Sequence, residues 1–115
     1  MNMVENIAFG HITINGYTYN SDLIIYPDGR IEDNWWRKNG HRLTETDLLK
    51  LIQSQPDVII VGAGIYSGMK PAKALEKKLS NMGVRFIVRD NKEAMSIFNK
   101  LALSNKAGAC FHLTC

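Results

Sequence analysis

Long apolar runs are absent from this sequence. No stretch approaches the roughly 18 apolar residues that a membrane-spanning helix needs, and the N-terminus lacks a charged-then-apolar signal segment. Cysteine is scarce: Cys110 and Cys115 are the only two. They fall on one predicted strand at positions of opposite parity, whose side chains face opposite ways, so no disulfide is expected and free thiols fit a reducing compartment. Charge of one sign is not in large excess. A net charge of +3 is too small to imply nucleic-acid binding, and no zinc-finger, helix-turn-helix or aromatic RNA-binding motif accompanies it. Repeats, linkers and low-complexity tracts are missing as well. What remains is an ordinary globular composition over 115 residues, the usual size of one domain. The expectation is a single cytoplasmic domain spanning 1–115, with no nucleic-acid or membrane contact.

The strongest positive signal begins at Pro56. Val58-Ile59-Ile60-Val61 is an unbroken apolar run bounded by turn residues, which predicts a strand buried on both faces in the middle of a sheet. Gly62-Ala63-Gly64 and Gly68 let the backbone turn sharply after it, and Pro71 suits the first turn of a helix. The helix over 71–82 carries an apolar stripe at Ala72, Leu75, Leu79 and Met82, and Gly83 is placed to end it. A strand over 84–88 follows. Asp90 and Glu93 have capping-box spacing before a last helix with Ala94, Ile97, Phe98 and Leu101 on its buried face, closed by Asn105 or Gly108, and the residues from Ala109 to Leu113 form a final strand. Three strands joined by two helices imply parallel pairing.

The N-terminal third reads differently. Ile7 and Phe9, then Ile12 and Ile14, alternate with a phase change at Gly10-His11, and Asn15-Gly16 is a strong hairpin signal before Tyr17-Thr18-Tyr19. A strand at Leu23–Tyr26 meets the turn Pro27-Asp28-Gly29, and the residues from Arg30 to Trp36 are expected to return as a strand, with one of Trp35 and Trp36 inward and the other outward. Thr44 and Asp47 open a predicted helix of about ten residues that Pro56 ends. The fold class is therefore α/β: one compact layered domain in which an antiparallel β-meander precedes a parallel β-α-β-α-β unit.

Ligands of open parallel sheets bind beyond the carboxyl ends of the strands. The topology brings the glycine loop (Gly62, Gly64, Ser67, Gly68), Arg89 and Cys115 to one such edge, and these are the candidate binding residues for a small anion. Main-chain N–H groups at a helix N-terminus attract phosphate, but the dinucleotide fingerprint is broken at Ser67 and no P-loop is present. Lys70, Lys73, Lys77, Lys78, Arg85, Arg89 and Lys92 add a local basic face, or simply a solvated one. Cys115 reads either as an activated thiol beside Arg89 or as a chain end. Trp36, Arg37 and His41 are secondary candidates: a surface aromatic beside residues that read either as an acid/base and anion-clamping pair or simply as hydrogen-bonding the loop that holds them. His112 and Cys115 are too few for a metal site. No metal or cofactor is expected.

Trp36-Arg37 followed by Gly40-His41, the strand into Gly62-Ala63-Gly64, Glu93-Ala94 with Asn99, and the closing His112-Leu113-Thr114-Cys115 together resemble a family of small proteins of unknown biochemical function. That family includes the mammalian adipogenesis-associated Mth-domain protein and, more distantly, a mitochondrial assembly factor for respiratory complex I. The resemblance implies a compact α/β domain with layered sheets and helices, and no catalytic reaction. The family carries Gly-Thr-Gly where this chain has Gly62-Ala63-Gly64. Since the assembly factor works by binding proteins, the resemblance implies a non-catalytic binding or assembly module with a protein partner. The alternative from the residues themselves is a small-anion or nucleotide-binding enzyme built on the glycine loop.

Overall fold

The apolar run that starts at Val58 lies inside a five-stranded sheet and is buried along its whole length, as its composition requires. The computed structural model describes residues 3–115. In chain order the elements are β1 (Val4–Ala8), β2 (His11–Ile14), β3 (Tyr17–Tyr19), β4 (Leu23–Ile25), β5 (Ile31–Glu32) and β6 (Arg42–Leu43), then a 3-10 turn (Thr46–Leu48) running into α1 (Leu49–Gln53). After these come β7 (Val58–Gly62), β8 (Lys70–Pro71), α2 (Lys73–Asn81), β9 (Arg85–Arg89), α3 (Asn91–Leu101) and β10 (Ala107–Phe111). The main sheet has the order β5-β4-β10-β7-β9. β10, β7 and β9 are parallel, while β4 and β5 join antiparallel beside β10. This is the expected α/β class, with a mixed sheet.

Alternation along β7 divides the core. Val58 and Ile60 face a cluster built from the sheet β1-β2-β3 and α3, including Ile12, Ile14, Ala94 and Phe98. Ile59 and Val61 face the other way, onto Trp35, Leu48, Leu51, Leu75 and Leu79. Cys110 sits fully buried in the second cluster, where burial pushes its thiol pKa up. Tyr26 lies in the same cluster, and desolvation together with its hydrogen bond to Glu32 pushes the phenol up to about 12. Among the described residues no helix is long and apolar enough to cross a membrane.

Several local expectations change. The N-terminal meander divides between sheets: β1, β2 and β3 form their own, whereas β4 and β5 belong to the main one. The phase change near Gly10 is a turn between β1 and β2, with Gly10 at φ +86°. The return strand after Gly29 stops at Glu32 because Asn34 takes φ +52° and Trp35 N–H bonds Asp22 O, so both tryptophans lie in a loop. The helix after Thr44 is a 3-10 turn plus five α-helical residues, with Asp47 accepting both the N–H and the hydroxyl of Thr44. Pro71 pairs with Leu43 before α2 begins, and Met82 is an exposed cap, not part of the buried stripe. Asn105 closes α3 by donating to Leu101 O, while Gly108 belongs to β10, and the final strand runs 107–111. The Asp90 cap on Glu93 N–H is present as read.

Candidate functional site

The carboxyl ends of β7, β9 and β10 meet at one edge. There the loop after β7 closes around the chain's own last residues. Ile65 N–H bonds Thr114 O at 2.8 Å, Gly68 N–H bonds Cys115 O at 2.6 Å, and Ala63 N–H bonds Arg89 O at 2.9 Å. A Cβ on Gly64, which has φ +116°, would lie 2.3 Å from the Cys115 carbonyl carbon, and one on Gly68 would lie 2.5 Å from Cys115 O. These glycines admit another stretch of main chain, and a side chain at 64 would displace residues 114–115. Gly62 is buried and its carbonyl takes His112 N–H at 2.9 Å, while Ser67 forms the turn at φ +55°. The Arg89 guanidinium turns to Val88 O (2.8 Å) and Glu93 (3.7 Å), and Lys78 pairs with Glu45. Cys115 is an exposed free thiol.

A second constellation lies beside the first, and most of it comes from residues far apart in sequence. Asp22, just before β4, accepts from Arg37 Nη2 at 2.8 Å and from His112 Nδ1 at 2.8 Å through one oxygen. Its other oxygen accepts Leu113 N–H at 2.7 Å. His112 Nε2 is 3.2 Å from Thr114 Oγ1. The Arg37 side chain is 5% exposed, stacks over Trp35 at 4.7 Å, and donates through Nε to Gly40 O. The His41 ring meets that of His112 edge-on at 5.9 Å. Buried charges persist only when paired and hydrogen-bonded, and Asp22 supplies the pairing here. A cleft of about 320 Å³ opens over Asp22, Arg37, His112 and Thr114, walled by Trp35 and Trp36.

Of the residues singled out from sequence, Arg37 and His41 thus come together around His112, and Gly64 and Gly68 pack on Cys115, while Gly62 lies against Phe111 and Asn91. Trp36 stands 84% exposed at the cleft mouth. Asp22 and Asn91 are not among the sequence candidates, and Thr114 enters the sequence reading only through the closing motif His112-Leu113-Thr114-Cys115. Asn91 is buried, accepts Gly64 N–H at 3.1 Å and donates to His112 O at 2.7 Å, so it ties the loop to the histidine. Among the described residues, no group of three or more His, Cys, Asp or Glu side chains is placed to hold a metal ion.

A family model described as a protein of unknown function (DUF498/DUF598) matches residues 4–112. No curated protein matches the sequence. Among solved structures, the conserved hypothetical protein PH1505 from Pyrococcus horikoshii OT3 is similar at 29% identity, over 97% of this chain and 98% of its own, with a TM-score of 0.84. MT938 is 24% identical over 100% of both chains, with a TM-score of 0.82. A Mth938-like domain from Bordetella pertussis is 18% identical over 97% of this chain and 85% of its own, with a TM-score of 0.68. The last two share the fold.

Proposed function

We propose that this chain, which belongs to the DUF498/DUF598 family of proteins of unknown function, is a protein-binding module that docks a partner through Trp36 and Tyr66. The observation that carries this reading is the exposure of those two rings, 84% and 80%. Trp36 shares a cleft wall with Thr114, and Tyr66 rides on the loop that binds the main chain of Thr114 and Cys115, so both flank the same segment. Tryptophan and tyrosine are the residues most enriched where binding energy concentrates, because each removes a large rigid surface from water at little entropic cost. The more distant resemblance to a complex I assembly factor, which works by binding proteins, agrees with an assembly role. The small-anion alternative is weakened, because two of the loop N–H groups that would cradle an anion already bond residues 114 and 115.

The test is capture from a lysate of the source cells on immobilised protein, comparing the parent with the Trp36→Ala/Tyr66→Ala variant. Proteins retained by the parent and lost by the variant, with the thermal midpoint of the variant nearly unchanged as for exposed positions, are the expected result. Identical capture by both would overturn the reading.

A further inference from the structure

The segment after β10 is held more firmly than a docking surface requires. His112 N–H bonds Gly62 O and its carbonyl takes Asn91 Nδ2; Leu113 N–H bonds Asp22 Oδ1 and its carbonyl takes Gly10 N–H; Thr114 O takes Ile65 N–H. What these bonds hold in place is a pair of side chains, His112 and Thr114, two positions apart on the same side of an extended segment.

His112 Nδ1 lies 2.8 Å from Asp22 Oδ2 and 3.0 Å from Arg37 Nη2; with the Arg37 N–H directed to Asp22 Oδ2, the tautomer assigned to His112 carries its ring proton on Nδ1 and donates to the same oxygen. Nε2 is then an acceptor, 3.2 Å from the Thr114 hydroxyl. Arg37 Nη2 offsets the charge of Asp22, while Arg37 Nη1 is buried with no hydrogen-bond partner among the described residues. A carboxylate orienting an imidazole that faces a hydroxyl is the arrangement that turns a hydroxyl into a nucleophile. Here it opens onto a cleft whose volume of about 320 Å³ is at the small end for ligand sites and whose walls include two indoles.

We propose that this cluster is an acyl-transfer site that hydrolyses esters of small carboxylic acids, with Thr114 as nucleophile, His112 as general base and Asp22 as a positioning residue. The activity goes beyond partner binding and does not depend on it. Thr114 Oγ1 forms a bond to the ester carbonyl carbon as its proton passes to His112 Nε2. The carbon–oxygen bond to the alcohol then breaks, and the leaving oxygen takes that proton. Water next adds to the acyl-threonine and gives a proton to Nε2. The carboxylic acid departs and Thr114 Oγ1 recovers its proton. No oxidant, reductant or metal is consumed.

The experiment follows p-nitrophenolate release from p-nitrophenyl acetate by the full chain and locates the covalent mark left by a fluorophosphonate probe through peptide mass. The expected outcome is turnover with the mark on Thr114. Thr114→Val, which keeps the shape of the side chain, should lose both. His112→Gln should lose about 10²- to 10⁴-fold in rate, and Asp22→Asn should lower kcat with little change in KM, the signature of a misdirected imidazole and not of lost binding. Parent turnover no faster than that of Thr114→Val, or a mark on lysine or Cys115, would overturn the proposal. Thr114→Val decides the matter if the Asp22 or His112 variants fail to fold.

Discussion

Asn91 occupies the apolar stripe of α3, one turn before Ala94 and two before Phe98, and is 1% exposed. A buried carboxamide is tolerated only where its polar atoms are matched, and here it bridges Gly64 N–H and His112 O, two main-chain groups from separate strand ends. Replacing it with alanine strands both. Each unsatisfied buried group costs about 1–3 kcal/mol, so Asn91→Ala should lower unfolding stability by roughly 2–6 kcal/mol, a large part of the 5–15 kcal/mol typical of a domain. Denaturant melts should show a lower midpoint at unchanged slope. A loss below about 0.5 kcal/mol would mean that water replaces both bonds.

Among the described residues β9 is an edge of the main sheet, paired with β7 on one side only. Arg85 N–H bonds Asp57 O and Arg89 O takes Ala63 N–H, so these residues bond inward and the intervening Phe86 and Val88 turn main-chain groups outward. Open edges invite pairing with other chains. Arg89 covers this one: its Nη1 donates to Val88 O, and its charge stands at the strand end. Arg89→Val keeps strand propensity while removing both defences. The variant should therefore sediment as larger species than the parent at equal concentration. Identical sedimentation would show that some other feature guards the edge.

The same element shows how far sequence reasoning reaches. β7 and the α3 cap are legible because their causes are local: a run buried on both faces, and Asp90 three residues before Glu93. β6 and β8 are two residues each and exist only because they pair across 27 intervening positions, which no local pattern records. Asp22 is hidden for the same reason, since its partner His112 lies 90 residues away. Asn91 did leave a signal, a polar residue on the apolar face of a helix, and Arg89 left one with two readings, since a cation near a glycine loop can also stand at a strand end and bond its own strand, as Arg89 does with Val88 O.

At the scale of the whole molecule, the Cα radius of gyration of 12.5 Å is slightly under the roughly 13 Å expected for one domain of this length. The chain reaches that density by closing on residues 112–115. They bond to Gly10 beside the small sheet, to Asp22 before β4, to Gly62, Ile65 and Gly68 around the loop, and to Asn91 on α3. Each layer of the molecule is thus tied to the same few residues. A chain lacking Thr114 and Cys115 loses the bonds to Ile65, Gly68 and His112. It also leaves space over Gly64 and Gly68, where no side chain can fill in. At about 1 kcal/mol per net hydrogen bond, the loss is roughly 3 kcal/mol, which should lower the thermal midpoint by about 10–20 °C. Removing His112 and Leu113 as well takes away the contacts to Asp22, Gly10, Gly62 and Asn91, a sum comparable to the whole stability of a small domain, and leaves Arg37 and Asp22 as a buried pair without its cover. Calorimetry on the two truncations distinguishes this from a frayed tail. The shorter deletion should give one sharp, earlier transition and the longer one none. Two unchanged melting curves would mean that the layers hold together without the segment that joins them.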